Sequence, residues 1–233
     1  MRSEKFVTLK RVTTKLGNEI KLLGFSDKDS LHFTSHLSLI IGVFHGTEPQ
    51  GKFLIEKYLE KFSNNSLLFI PCLNPDGMQL GTRTNANGID LNRNFPTKNW
   101  GEDSSKAFFH SLANDPNPSK SISDYFGGKL AGSEIETQFV MEIIEEYKPK
   151  SILTLHSPYK VVNYDGPAKD LAEKISEIIK YPVEASIGYP TPGSFGTYAG
   201  IERQIPTITL ELDEICPVED LIEPVHQVFE LLI

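Results

Sequence analysis

The chain has 233 residues, a formal net charge of −8 and a pI near 5.3, a balance that excludes a broad nucleic-acid or anionic-membrane surface, since both need an excess of Lys and Arg. Hydrophobic residues at 39% and charged residues at 23% exclude general disorder and a fibrous chain, and the length favours one domain over residues 1–233. The first residues lack an apolar signal core and a small-residue cleavage site, and the longest apolar run, Leu37 to Phe44, is too short to cross a bilayer, so a cytoplasmic protein with no membrane partner is expected.

Residues Phe6 to Leu9 and Ile20 to Leu23 alternate in polarity around Lys15-Leu16-Gly17-Asn18, which predicts a hairpin at a sheet edge, within residues 1–36 of the same domain. Leu37 to Phe44 is a continuous apolar run of strand length, and Gly51 to Phe62 repeats apolar residues at helical spacing. Leu67 to Cys72 predicts a strand, Glu134 to Tyr147 a helix, Ser151 to Leu155 a strand and Ala168 to Ile179 a helix. Thr207 to Leu212 predicts a strand and Val218 to Ile233 a closing helix. Strands that alternate with helices imply a mostly parallel sheet covered on both faces. Two long polar segments, Asn74 to Gly132 and Tyr181 to Pro206, lie between these elements; loops of that length tend to be functional, and ligands in open α/β sheets bind beyond the carboxyl ends of strands. Cys72 and Cys216 are too few for a disulfide framework and are expected to be buried free thiols.

His45 ends the first buried strand, and Glu48 follows where the chain turns toward a helix; in this HGTE, Gly46 is expected to permit the tight turn. Imidazole and carboxylate at that separation suit zinc. A loop histidine beside an unrelated helix-entering carboxylate would read the same way. His156 closes the strand SILTLH, so it would face the same crevice, although a hydrogen-bonded, partly buried histidine is the alternative. A His₂Glu set leaves a fourth position open for water, as a catalytic zinc needs. Glu211 interrupts the apolar strand TITLEL. It is either an edge residue facing water or a buried carboxylate whose pKa rises toward that of a general base. Arg83 and Arg93 lie in the polar stretch Gly81 to Pro96. They are either solvated surface groups or planar forks for a carboxylate or a developing oxyanion.

HGTE, then NPDG at Asn74 to Gly77, GTR ending at Arg83, DLNRNF at Asp90 to Phe95, LHS at Leu155 to Ser157 and LELDE at Leu210 to Glu214 resemble, in that order, the motifs of the zinc carboxypeptidase family. The resemblance implies an α/β fold with a mixed, mostly parallel twisted sheet and helices on both faces. It implies one Zn²⁺ per chain on His45, Glu48 and His156, with Glu211 as the base that activates water. It implies Arg83 at the scissile carbonyl, and Asn92 with Arg93 on the substrate carboxylate. Tyr189 lies near the position of the family tyrosine that covers the substrate; Tyr198 is the alternative, and a packing role is open for either. PCLNPDG, the stretch from Gly81 to Pro96 and TPGSFG at Thr191 to Gly196 are most similar to a bacterial amidase branch of the family. That likeness implies a small peptide substrate with a free carboxylate, cut at the γ-D-Glu–meso-diaminopimelate bond of the murein tripeptide. A general metallocarboxypeptidase, an N-acyl amino acid deacylase and a non-catalytic metal-binding module are the rival readings. Diaminopimelate carries a second amino-acid head, so its pocket is expected to hold an acidic or strongly polar group, with Asp124 and Glu134 as candidates.

Overall fold

The structure, a computed structural model, describes residues 6–25, 36–62, 66–101, 122–185 and 188–233. Its strands are β1 (Phe6–Thr13), β2 (Glu19–Phe25), β3 (Ser38–Gly42), β4 (Leu67–Ile70), β5 (Ser151–His156), β6 (Val161–Asp165), β7 (Val183–Glu184) and β8 (Thr207–Glu211). They form one sheet in the order β1-β2-β4-β3-β5-β8-β6-β7. The centre, β4-β3-β5-β8, is parallel, while β2 joins β4 and β6 joins β8 antiparallel. The helices are α1 (Gln50–Lys61), α2 (Pro75–Leu80), α3 (Ile135–Tyr147), α4 (Lys169–Ile179) and α5 (Ile222–Leu231).

Central parallel strands are covered on both faces, so every residue of β3, β4 and β5 is buried, which is why they read as unbroken apolar runs. Alternate residues feed two cores. Ile40, Leu153 and Ile208 point to the layer that holds α1, α4 and α5, while Leu39, Ile41 and Ile152 point to the layer that holds α3. None of the described helices is long and apolar enough to cross a membrane.

Four features depart from the sequence reading. First, β6 fills a stretch for which no element was expected, and its antiparallel pairing with β8 carries the sheet past the last parallel strand. Second, the long segment after β4 begins with the short helix α2, capped by Asn74 Oδ1 accepting from Gly77 N at 2.9 Å, with Pro75 at its first position and Gly81 at φ 67° as its C-cap. Those are the termini expected of a helix, but six residues are too few to show a hydrophobic period. Third, the closing helix is broken into a 3₁₀ turn, Val218–Leu221, and α5. Fourth, Cys72 and Cys216 are unpaired as expected but only half-buried, because each lies just beyond its strand rather than inside it. Burial still pushes the Cys72 thiol up to about 12.

The expected hairpin is present, with β1 at the edge. Its turn is pinned to α2 by the buried carboxylate of Asp76, which accepts from Thr14 Oγ1 at 2.5 Å, Leu16 N at 3.0 Å and Asn18 Nδ2 at 2.8 Å. Asp76→Ala orphans these donors. The expected outcome is a loss of roughly 2–4 kcal/mol in urea unfolding, with proteolysis concentrated at the 14–18 turn.

Candidate active site

β5 and β8 run parallel in register, with His156 opposite Glu211. One strand over, β3 leads into Val43 at φ 56°, and the chain reverses so that Glu48 N donates to His45 O at 3.1 Å. Gly46 serves this reversal in a way the sequence did not suggest. Its φ is not positive, but a Cβ there would lie 2.0 Å from the Gly77 carbonyl carbon, so glycine is needed for close backbone approach.

Three elements thus bring His45, Glu48, His156 and Glu211 together at 3%, 8%, 4% and 6% exposure. Glu48 Oε1 is 2.7 Å from His45 Nδ1, and Glu48 Oε2 is 3.0 Å from His156 Nδ1. The two Nδ1 atoms are 3.3 Å apart. Zinc bonds of about 2.0–2.1 Å in a tetrahedron place neighbouring ligand atoms roughly 3.3 Å apart, so the donor set fits that ion. Asp90 Oδ1 takes the Nε2 proton of His45 at 3.2 Å, which turns the Nδ1 lone pair inward. Facing lone pairs and a carboxylate require a cation or protons between them.

Glu211 completes the set from the other side. Its Oε2 is buried without a hydrogen-bond partner. Burial lifts the carboxyl to about 7, with repulsion from Glu48 adding to the rise against the attraction of His156. Of the two readings of this residue, the buried carboxylate is therefore the correct one.

Arg83, Asn92 and Arg93 share the pocket with these residues, as do Tyr125, Tyr159 and Tyr189. Arg83 donates from Nε and Nη2 to Asp90 Oδ2 at 3.1 and 3.0 Å and lies 3.7 Å from Glu48 Oε1. Burial opposes its charge, but Asp90 and Glu48 more than offset that cost and raise its pKa. Asn92 and Arg93 sit on the 3₁₀ turn Leu91–Arg93, whose start is fixed by Asp90 Oδ1 accepting from Asn92 N at 2.9 Å. Asn92 Oδ1 accepts from Phe195 N at 2.8 Å, which leaves its Nδ2 donors for the pocket. Arg93 Nε is buried and unpartnered. Both guanidinium groups lie over the Tyr125 ring, at 4.8 and 5.9 Å.

The structure separates the two tyrosines. Tyr189 lines the pocket, whereas Tyr198 is buried against Phe95 at 5.2 Å and beneath Arg203 at 3.4 Å. Neither candidate for an acidic pocket group reaches the pocket wall. Asp124 lies on the 3₁₀ turn Ile122–Tyr125, whose Tyr125 faces inward in its place. Glu134 is buried behind the loop, where it accepts from Asn85 Nδ2 at 2.8 Å, Asn87 Nδ2 at 2.7 Å and Ser133 Oγ at 2.6 Å. Besides Glu48 and Glu211, Asp165 on β6 is an acid on the wall, in a recess that shares Asn92, Tyr189, Thr191 and Glu211 with the pocket. Sequence reading also passed over Asp90, although an acid between Ile89 and Leu91 carried the same signal that marked Glu211.

A buried His-Glu-His cluster at the carboxyl ends of a central parallel sheet, faced by an unpartnered carboxylate and two arginines, defines a metallopeptidase class of site. The chain belongs to the zinc carboxypeptidase family, which its residues 2–178 match. Murein peptide amidase A of Escherichia coli K12 is 38% identical over 144 residues, 62% of this chain and 57% of that protein. The Vibrio campbellii murein peptide amidase A is 40% identical over 144 residues, 61% of this chain and 55% of that protein. The chain's matched part thus spans little more than half the length of these relatives. The solved murein-tripeptide amidase from Escherichia coli O157 superposes with a TM-score of 0.78 at 27% identity, covering 100% of this chain and 95% of that one. Carboxypeptidase A from Helicoverpa armigera shares the fold, with a TM-score of 0.74 at 17% identity over 98% of this chain and 68% of that one.

The loop that carries Arg83 and Asp90 rests on a pair of acids at the start of α3. Asn85 Nδ2 reaches both Glu134 and Glu136 Oε2, the latter at 3.3 Å. Burial raises Glu136 to about 7 from its ordinary 4.5, and nearby Glu134 and Asp76 add to the rise. A carboxyl raised on folding contributes stability fully below its unfolded pKa and loses it as pH climbs through the folded one. Glu136→Gln mimics the protonated form. It is expected to stabilise the protein by ~1–3 kcal/mol at pH 8 and to leave stability at pH 4 nearly unchanged, as read by denaturant midpoints.

Proposed function

We propose that this chain is a zinc-dependent amidase that hydrolyses an amide bond next to a free carboxylate, and that its substrate is a murein tripeptide cut at the γ-D-Glu–meso-diaminopimelate bond. The observation that carries the reading is the meeting, in one pocket, of a zinc-fitting donor set with an unpartnered Glu211 oxygen and two arginines, Arg93 buried and Arg83 partly so. The similarity to a murein peptide amidase and a murein-tripeptide amidase supports a murein peptide as the substrate.

His45 Nδ1, Glu48 and His156 Nδ1 would hold the metal. When bound, zinc supplies Lewis acidity and lowers the pKa of water to near neutrality. Glu211 takes a proton at its free Oε2 and later passes it to the departing nitrogen, a role that its raised pKa suits. Arg83 presents a fixed positive charge to the oxygen that gains negative charge in the transition state. Asp90 prevents that guanidinium from swinging away. Arg93 and the Nδ2 of Asn92 bind the substrate carboxylate and so align the scissile amide. Tyr189 covers the bound substrate and excludes water. No covalent acyl-enzyme is required.

Incubation of zinc-loaded protein with L-Ala-γ-D-Glu-meso-diaminopimelate, beside α-linked peptides and N-acyl amino acids, tests the substrate. Chelator-sensitive release of diaminopimelate is the expected result, and turnover confined to α-peptides or N-acyl amino acids would replace the amidase with one of its rivals. Glu211→Gln is expected to keep stoichiometric zinc by elemental analysis while kcat falls by about 10²–10⁴-fold. His156→Ala is expected to lower zinc occupancy itself; full occupancy in that variant would remove His156 from the ligand set.

A further inference from the structure

Tyr125 is 2% exposed and meets both arginines of the pocket. The guanidinium carbons of Arg83 and Arg93 lie over its ring, 4.8 and 5.9 Å from the centre. A guanidinium within about 6 Å of an aromatic face is attracted by the negative face of the ring, and the attraction grows as water is excluded. One ring therefore acts on two cations.

The segment that carries this ring is fastened to the turn that carries Arg93. Asp90 N donates to Phe126 O at 2.9 Å, and Asn94 Nδ2 donates to Gly127 O at 2.9 Å. Gly127 approaches so closely that a Cβ on it would lie 2.3 Å from Arg93 O, which only glycine permits. Main-chain contacts on either side of Arg93 thus hold the ring in place, in addition to its own burial.

The two arginines are held by different means. Glu48 and Asp90 flank Arg83 with carboxylates, whereas Arg93 donates from Nη1 to Asn92 O at 2.6 Å and keeps a buried, unpartnered Nε. A carboxylate partner on Arg93 would occupy the planar fork that an incoming anion needs. An aromatic face attracts the same cation but presents no oxygen to that fork, so the N–H donors stay available to a ligand.

Resting on the hydrolytic reading above, we infer that Tyr125 is a positioning residue whose ring face sets the places of Arg83 and Arg93 together. It thereby links the grip on the substrate carboxylate to the stabilisation of charge at the scissile carbonyl. The role belongs to the face of the ring and is exerted through the two guanidinium groups.

The test varies the electrostatics of the ring while keeping its shape. Zinc-loaded Tyr125→Phe is the reference, and it is compared with the same substitution carrying one, two or three ring fluorines, which weaken the negative face stepwise. On L-Ala-γ-D-Glu-meso-diaminopimelate, KM is expected to rise and kcat to fall with each added fluorine, each by about 3–30-fold over the series. A ring that merely fills space leaves both constants flat across the series, and that result overturns the inference. Calorimetric titration with free meso-diaminopimelate reads the Arg93 end without turnover, and its affinity is expected to fall by about 3–30-fold over the same series. If the wild type binds diaminopimelate without hydrolysing the tripeptide, the hydrolytic reading falls and the trend in binding decides the role of Tyr125. If the tripeptide is hydrolysed and the series is flat in both measurements, the hydrolytic reading stands and the assignment of Tyr125 falls. A wild type that neither binds nor hydrolyses overturns both.

Discussion

Asp90 is fully buried and holds three partners at once: His45 Nε2 at 3.2 Å, the Arg83 guanidinium at 3.0 Å and the backbone N–H of Asn92 at 2.9 Å. A carboxylate out of water is tolerated only when its oxygens are saturated by strong donors. Here the donors are one side chain of the His-Glu-His cluster, the cation beside it and the Asn92 amide of the turn Leu91–Arg93. Attraction to Arg83 and His45 overcomes burial and holds the Asp90 carboxyl well below the usual range. The consequence is geometric. The orientation of His45, the reach of Arg83 and the start of the turn that bears Asn92 and Arg93 are not independent, and displacing one leaves the others facing an unsatisfied buried charge.

This coupling explains why the sequence was legible in some places and opaque in others. The central strands announced themselves because burial on both faces demands unbroken apolar runs, and the residues that end them, His45, His156 and Glu211, stood out against that background. β6 did not, because VVNYD mixes two core residues with polar side chains that line a recess, and five residues cannot establish a period. Asp165 was hidden with it. Asp124 and Glu134 are acids in loops and so look in sequence like pocket groups, whereas the acid on the recess wall comes from an antiparallel strand placed beside β8 only by tertiary pairing. Tyr189 and Tyr198 were indistinguishable for a similar reason. Both lie in a Gly/Pro-rich stretch, and only the packing of Phe95 and Arg203 around Tyr198 consigns that ring to the core.

An acidic chain whose pocket holds two arginines is a consistent arrangement once the location of each charge is considered. The net charge of −8 is spread over a solvated surface, where separated charges are screened within about 10 Å. Arg93 is buried and Arg83 partly buried, both against the Tyr125 ring, in a medium that screens far less. Local charge therefore governs recognition. Within that pocket the arginines do not make a uniform positive field, because Asp90 and Glu48 neutralise Arg83 on the protein side while Arg93 keeps a buried donor unspent. Asn92 also borders the recess that runs past Thr209 and Asn163 to Asp165.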